Sequence, residues 1–226
     1  MIKKLAIAAA LSSAALTSAQ AGVIVGAQSA QIISGGPGSG AISSTYDQYG
    51  LLTDYESGVT DFDAYIAQNP LHAWDFSVVD AGTTYYYEWF SNFGTTAATV
   101  SYDLGEVYDV HGMALWNEDG NGIGKLNILG SIDGVTWTSL KSNLTPTDHA
   151  QGVDYGADVF SWLTTPVRFI KLEASQCPSS STWVGCSIGE VAFNATPVPE
   201  ASSIAMAGLG LAVVGAVATR RRRQQA

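Results

Sequence analysis

From Thr99 the chain alternates. Val100, Tyr102 and Leu104 are apolar, while Thr99, Ser101 and Asp103 between them are polar. That period of two predicts a half-buried strand, because successive side chains leave opposite faces of a sheet. Gly105 ends the run. Val110 to Trp116 predicts a second strand, Glu118 to Gly122 a turn, and Leu126 to Leu129 the return. In Ser131-Ile132-Asp133-Gly134 the Asp-Gly pair marks a tight hairpin, and Val135 to Leu140 continues the sheet. Val167 to Leu172 reads as a mostly apolar strand interrupted by Arg168 and Lys171, and Ile188 to Phe193 as the last strand. Upstream, Val23-Ile24-Val25 predicts an edge strand. Ser34 to Gly40 predicts a loop, since glycine at that density cannot hold a ladder. The aromatic run Tyr85 to Phe90 predicts a buried strand or turn. No helical period persists over three turns. Short strands separated by turns at about ten-residue spacing predict an all-β antiparallel sandwich.

The two ends have a different pattern. Met1-Ile2-Lys3-Lys4, the apolar run Leu5 to Leu16 and Ala19-Gln20-Ala21 have the form of a signal peptide over 1–21, with a mature start at Gly22. Ala201 to Thr219 is 19 residues without a charge. As a helix it would be about 28 Å long, the thickness of a bilayer's hydrocarbon core, which predicts a transmembrane helix over 201–219. Arg220, Arg221, Arg222 and Arg223 follow at once and hold the tail 220–226 on the cytoplasmic side. Residues 194–200 read as a linker. Val198-Pro199-Glu200, then the apolar span, then the arginines, resemble the PEP-CTERM sorting signal of Gram-negative bacteria, with Ala201 in place of its second proline. The resemblance implies export, recognition by an exosortase, and residence first in the membrane and then at the cell surface or in the extracellular matrix.

Removing the two ends changes the charge. The body from Gly22 to Val198 has four basic residues against nineteen acidic ones, a net charge of −15. Such a surface repels nucleic acid and anionic lipid, and suits either a divalent cation or simple solubility. Cys177 and Cys186 are the only cysteines. In an exported body they predict a disulfide, and they are too few for a structural zinc site.

Four segments resemble discoidin-like domains, the coagulation-factor type C modules. They are Tyr102-Asp103-Leu104-Gly105, the stretch from Met113 through Ser131-Ile132-Asp133-Gly134 to Leu140, Val167 to Ala174, and Ile188-Gly189-Glu190-Val191. The order matches over about Tyr85 to Phe193 and implies a galactose-binding-like jelly roll occupying 22–193. It also implies a structural calcium held by Glu190, with oxygen partners drawn from Asp61 and Asp63 in the acidic stretch Asp54 to Asp63, or from Asp75 and Asp80. Glu190 as a paired, partly buried carboxylate is the alternative. Asn117 to Gly122 resembles a cation loop but lacks the bidentate glutamate of an EF-hand, and is expected to be a hairpin turn.

Sugar sites stack an aromatic ring on the apolar face of a saccharide and add a few fixed polar groups. Trp89, Trp116, Trp137 and Trp162 fall in strand-like segments and are expected in the core. Trp183, inside the cysteine-bounded loop, and Trp74 together with its neighbour His72, with Asp75 beside them, are the candidate ligand contacts. No nucleophile, metalloprotease or phosphate-loop motif occurs. These readings predict a non-enzymatic, exported carbohydrate-binding or adhesion module, and the resemblance to PEP-CTERM proteins implies extracellular polysaccharide as its partner. A matrix-glycan hydrolase and a self-associating structural protein are the alternatives.

Overall fold

The computed structural model describes residues 22–177 and 184–197. The expected signal peptide over 1–21, Trp183, the Val198-Pro199-Glu200 motif, the apolar span and Arg220 to Arg223 lie outside them. Among the described residues no helix is long and apolar enough to cross a membrane.

The main sheet runs in the order β1 (Val23–Val25), β14 (Glu190–Pro197), β8 (Ala98–Trp116), β12 (Asp158–Ser175), β9 (Lys125–Ser131) and β10 (Thr138–Leu144). β2 (Ser29–Ser34) also pairs with β8. Three small sheets complete the body: β13 (Ser187–Ile188) with β7 (Trp89–Phe90) and β3 (Ser39–Gly40), β11 (Tyr155–Gly156) with β4 (Leu71–His72), and the hairpin β5 (Ser77–Asp80) with β6 (Thr83–Tyr86). One five-residue helix, α1 (Phe62–Ile66), is present.

The sandwich comes from two strands that serve both layers. The first half of β8 pairs with β2 through Asp103 to Thr99, and its second half pairs with β14 through Trp116 to Tyr108. β12 follows β8 along its length, but only its second half, Phe169 to Ser175, is joined by β9. The bend lies at Gly105, where φ is +87°. The sequence reading ended a strand there. The strand in fact continues, because glycine tolerates that backbone and the Asp103 carboxylate accepts the Gly105 N–H at 2.8 Å. Asp103 also receives Arg168 through two hydrogen bonds at 2.8 Å, tying the bends of both strands together.

Alternation then explains the core. Val100, Tyr102 and Leu104 of the first half of β8, and Val110, Met113 and Leu115 of the second, enter one cluster with Ile128, Ile170, Leu172, Val191 and Phe193. A second cluster lies on the other face, where Ile24, Leu51, Tyr55, Phe62, Tyr65 and Tyr155 surround Trp116. The chain from Gly50 to Pro70 thus covers a sheet face that would otherwise be wet.

Other local expectations shift. β1 forms as the edge strand read from Val23-Ile24-Val25, paired to β14. Residues 194–197 are not linker: they extend β14, because Ala195 is buried against β1 and β8. The aromatic run divides. Trp89 and Phe90 are buried, but Tyr85 and Tyr86 sit in a hairpin exposed on both strands. Of the four tryptophans expected in the core, Trp89 and Trp116 are fully buried, while Trp137 and Trp162 are half-buried.

Candidate functional site

A cleft of about 320 Å³ opens where β7, the loop after β8 and the segment before β5 meet. Its walls include Trp74, Phe76, Phe90, Glu88, Asn121 and Gln151, with Glu118 and Asp119 beside them. The flanks are aromatic. Phe76 packs edge-on against Phe90 at 5.2 Å and tilts against Tyr86 at 5.1 Å. Trp74 is 47% exposed, and its backbone is pinned by a hydrogen bond from its N–H to Asp154 at 3.2 Å.

The floor is acidic. Oxygens of Glu88, Glu118 and Asp119 lie within 4.8 Å of one another, and all three residues are buried. Among the described residues this is the one such group of three. Each carboxyl is held. Tyr155 donates its hydroxyl to Glu88 at 2.6 Å. Glu118 accepts the Asn121 N–H at 2.6 Å and the Ser187 hydroxyl at 2.9 Å. Asp119 accepts the Gly152 N–H.

Burial, reinforced by Glu118, raises the Glu88 carboxyl to about 9. Burial likewise raises Glu118 to about 8. At neutral pH both therefore hold a proton unless a cation takes its place. A protonated carboxyl donates one hydrogen bond and accepts others, which matches the vicinal hydroxyls of a sugar. With a cation bound, the same three residues would offer it carboxylate oxygens.

His72 is not a surface contact. It is fully buried, with Nδ1 2.8 Å from the Ala73 carbonyl oxygen and its ring stacked on Tyr155 at 5.0 Å. Burial lowers it to about 4, so its 3.9 Å approach to Glu88 joins two neutral groups at pH 7. Its role is to brace Tyr155 and Glu88 from behind.

The calcium candidates separate. Glu190 is fully buried. One oxygen accepts the Gln48 N–H at 3.0 Å, and the other, Oε1, has no hydrogen-bond partner. Burial first, then Asp47 and more weakly Asp54, push its carboxyl well above the usual range. A buried carboxyl oxygen without a donor can serve as one ligand of a hard cation, but among the described residues no other two acids gather with Glu190 as Glu88, Glu118 and Asp119 gather in the cleft. Asp61 and Asp63 do not join Glu190. Asp61 caps α1 by accepting the Ala64 N–H at 2.8 Å, and Asp63 is exposed in that helix's first turn. The acids whose charge reaches Glu190 are Asp47 and Asp54, on the segment leading to Tyr55.

The disulfide between Cys177 and Cys186 is formed. It stands behind the cleft, where the Ser91 hydroxyl accepts the Cys186 N–H at 2.8 Å. Glu88, Glu118, Asp119 and Asn121 were missed as site residues by the sequence reading. The signal was the acidic Asn117 to Gly122 segment, expected as a hairpin turn. It is instead a buried loop, in which Asn117 accepts the Ile123 N–H at 2.6 Å and donates to the Thr147 carbonyl at 2.8 Å.

The raised carboxyls make stability depend on pH. Glu88 and Glu118 bind their protons more tightly folded than unfolded, so their contribution is complete at about pH 4 and is lost as pH rises through about 8 and about 9. Chelated protein is therefore expected to melt at a lower temperature at about pH 9 than at about pH 5, and Glu88→Gln to flatten that slope. A melting temperature independent of pH in the wild type would show that these carboxyls are ionised in the fold.

Known proteins were compared with this chain. The PEP-CTERM protein-sorting motif matches residues 197–223. No curated protein sequence matches. Solved structures of similar shape include CBM32-3 from a family 31 glycoside hydrolase of Clostridium perfringens, at 15% identity over 48% of this chain and 75% of that one, with a TM-score of 0.41. A second Clostridium perfringens module, CBM32-5, is 18% identical over 47% and 74%, with a TM-score of 0.40. The C-terminal domain of a chitobiase from Bacteroides fragilis is 17% identical over 78% and 99%, with a TM-score of 0.43. The F5/8 type C domain matches residues 65–191, more than half of the sequence and a longer stretch than its four motif segments span, and the chain belongs to that family.

Proposed function

We propose that this protein is a non-catalytic glycan-binding module, displayed outside the inner membrane of a Gram-negative bacterium, with extracellular polysaccharide as its partner. The observation that carries the reading is Trp74, open to solvent at the mouth of a cleft whose floor is built from held carboxyls and an amide. Trp74 supplies a stacking face. Glu88, Glu118 and Asn121 supply fixed hydrogen-bonding groups, already oriented by Tyr155 and Ser187. Residues 1–21 direct export. The apolar span 201–219 holds the body at the membrane until an exosortase acts at Pro199-Glu200, after which the body joins the surface matrix. A calcium ion held by Glu190 would stabilise the segment that covers Trp116 without touching the ligand.

The test is a glycan array probed with the mature protein in calcium and again in chelator. Binding to a defined saccharide is expected. Trp74→Ala should weaken it at least about tenfold, equivalent to about 1.4 kcal/mol, while leaving the melting temperature unchanged. Silence on every glycan, from protein whose near-ultraviolet circular dichroism shows it folded, removes the reading. Chelation that lowers the melting temperature of the wild type but not of Glu190→Gln supports the structural calcium, and equal behaviour of the two removes it.

A further inference from the structure

β14 connects the two ends of the sandwich. Its first residue, Glu190, pairs with Trp116, which leads directly into the cleft loop at Asn117 to Asn121. Its last, Pro197, pairs with Tyr108, beside the bend at Gly105. Seven strand steps separate these residues by about 23 Å. The chain therefore leaves the fold at the end opposite the cleft. The apolar run begins at Ala201, four residues beyond Pro197, a reach of about 14 Å at most.

The surface at that end carries aliphatic side chains. Tyr108 pairs on its other side with Val167, two strand spacings or about 10 Å from Pro197. Val167 lines a groove with Ile132, Thr138 and Thr165, and the last two continue into a second groove with Trp162 and Leu163. Leu163 is 90% exposed, Val135 80% and Ile132 55%. Ile132 and Val135 stand on the loop between β9 and β10, and Leu163 stands on β12 at its irregularity between Ser161 and Thr165, among threonines and beside the half-buried indole of Trp162, a composition that suits the boundary between water and acyl chains.

We propose that, while the span 201–219 is in the bilayer, this end of the sandwich rests on the lipid surface, with Ile132, Val135 and Leu163 among the headgroups and the Trp74 cleft held outward. The proposal rests on the membrane reading of the tail given above. The short tether sets the distance, and the exposed aliphatics choose which surface turns toward the lipid. Arg168 at this end is paired with Asp103, and Asp133 and Lys141 line the two grooves with opposite charge, so the contact rests on the aliphatic side chains and needs no anionic lipid.

The test uses the full chain reconstituted in phosphatidylcholine vesicles. The native cysteines are bonded to each other, so a single added cysteine can be labelled with a polarity-sensitive fluorophore. A label at Leu163→Cys is expected to shift to the blue on reconstitution and to be quenched by spin-labelled lipid. A label at Val79→Cys, on the exposed hairpin that follows Phe76 of the cleft, should do neither. If the protein floats with the vesicles but the label at position 163 still reports water, or if position 79 is the one quenched, the proposal is overturned and the tail reading survives. If the protein does not float with the vesicles, the tail reading falls and takes the proposal with it.

Discussion

Replacing Trp116 by alanine is expected to lower the unfolding free energy by about 4 kcal/mol, the largest effect of any single substitution considered for this chain. Trp116 is fully buried at the end of β8, in the cluster that joins the sheet to the segment from Gly50 to Pro70. Truncation removes its contacts with Leu51, Tyr55, Phe62 and Tyr65 and leaves a cavity. It also strips the Pro70 carbonyl of the indole N–H that reaches it at 2.9 Å, leaving a buried acceptor unpaired. About 4 kcal/mol corresponds to a fall in melting temperature of about 8–16 °C for a body of this size. The measurement is a urea titration followed by near-ultraviolet circular dichroism. Hydrogen exchange should also show the amides of α1 and its flanks opening before those of β8. A midpoint within experimental error of the wild type would mean that the covering segment contributes little to the fold.

Removing the disulfide by Cys177→Ser together with Cys186→Ser is expected to cost about 3 kcal/mol. The bond closes a loop with a sequence separation of 9, and the loop-closure entropy for that length is about 2.7 kcal/mol. Two features favour the full value. Both sulfurs are buried in the main core, and both cysteines are tied to the β7 region, where Ser91 exchanges hydrogen bonds with Cys186 and the Cys177 N–H reaches the Thr96 carbonyl at 3.3 Å. The serine pair or a reducing agent should lower the melting temperature by about 6–12 °C. Because Phe90 of the cleft wall lies one residue from Ser91, glycan affinity should fall as well. Melting curves that coincide with and without reductant would show that hydrogen bonding alone holds the two ends of the loop together.

The alternation at Val100, Tyr102 and Leu104 was enough to place one strand correctly, because burial on one face forces a period of two on any sequence that forms it. The disulfide and the edge strand at Val23 were equally legible. Trp74 was picked out by its polar neighbours and does line the cleft. His72, two residues away, was assigned to the same surface and is buried. Nothing local distinguishes a histidine that faces water from one stacked under Tyr155, because Tyr155 lies far along the chain. Asn117 to Gly122 shows the same limit. Its composition signals a hairpin turn, and only Ser187, Thr147 and Gly152, which fold onto it from other segments, make it a buried floor.

The sequence by itself determined the class of fold, the PEP-CTERM sorting motif, the disulfide between Cys177 and Cys186 and the acidic character of the body. These follow from local pattern and composition, which require no partner in space. Tertiary structure alone decided that Gly105 bends one strand into two layers rather than ending it. It also decided that Glu88 meets Glu118 and Asp119, that Glu190 is fully buried while Asp61 caps α1 and Asp63 is exposed, and that β14 ends at Pro197, opposite the cleft. Each of those depends on pairings between segments far apart in the chain, where register and burial, not the identity of neighbouring residues, determine which side chains meet.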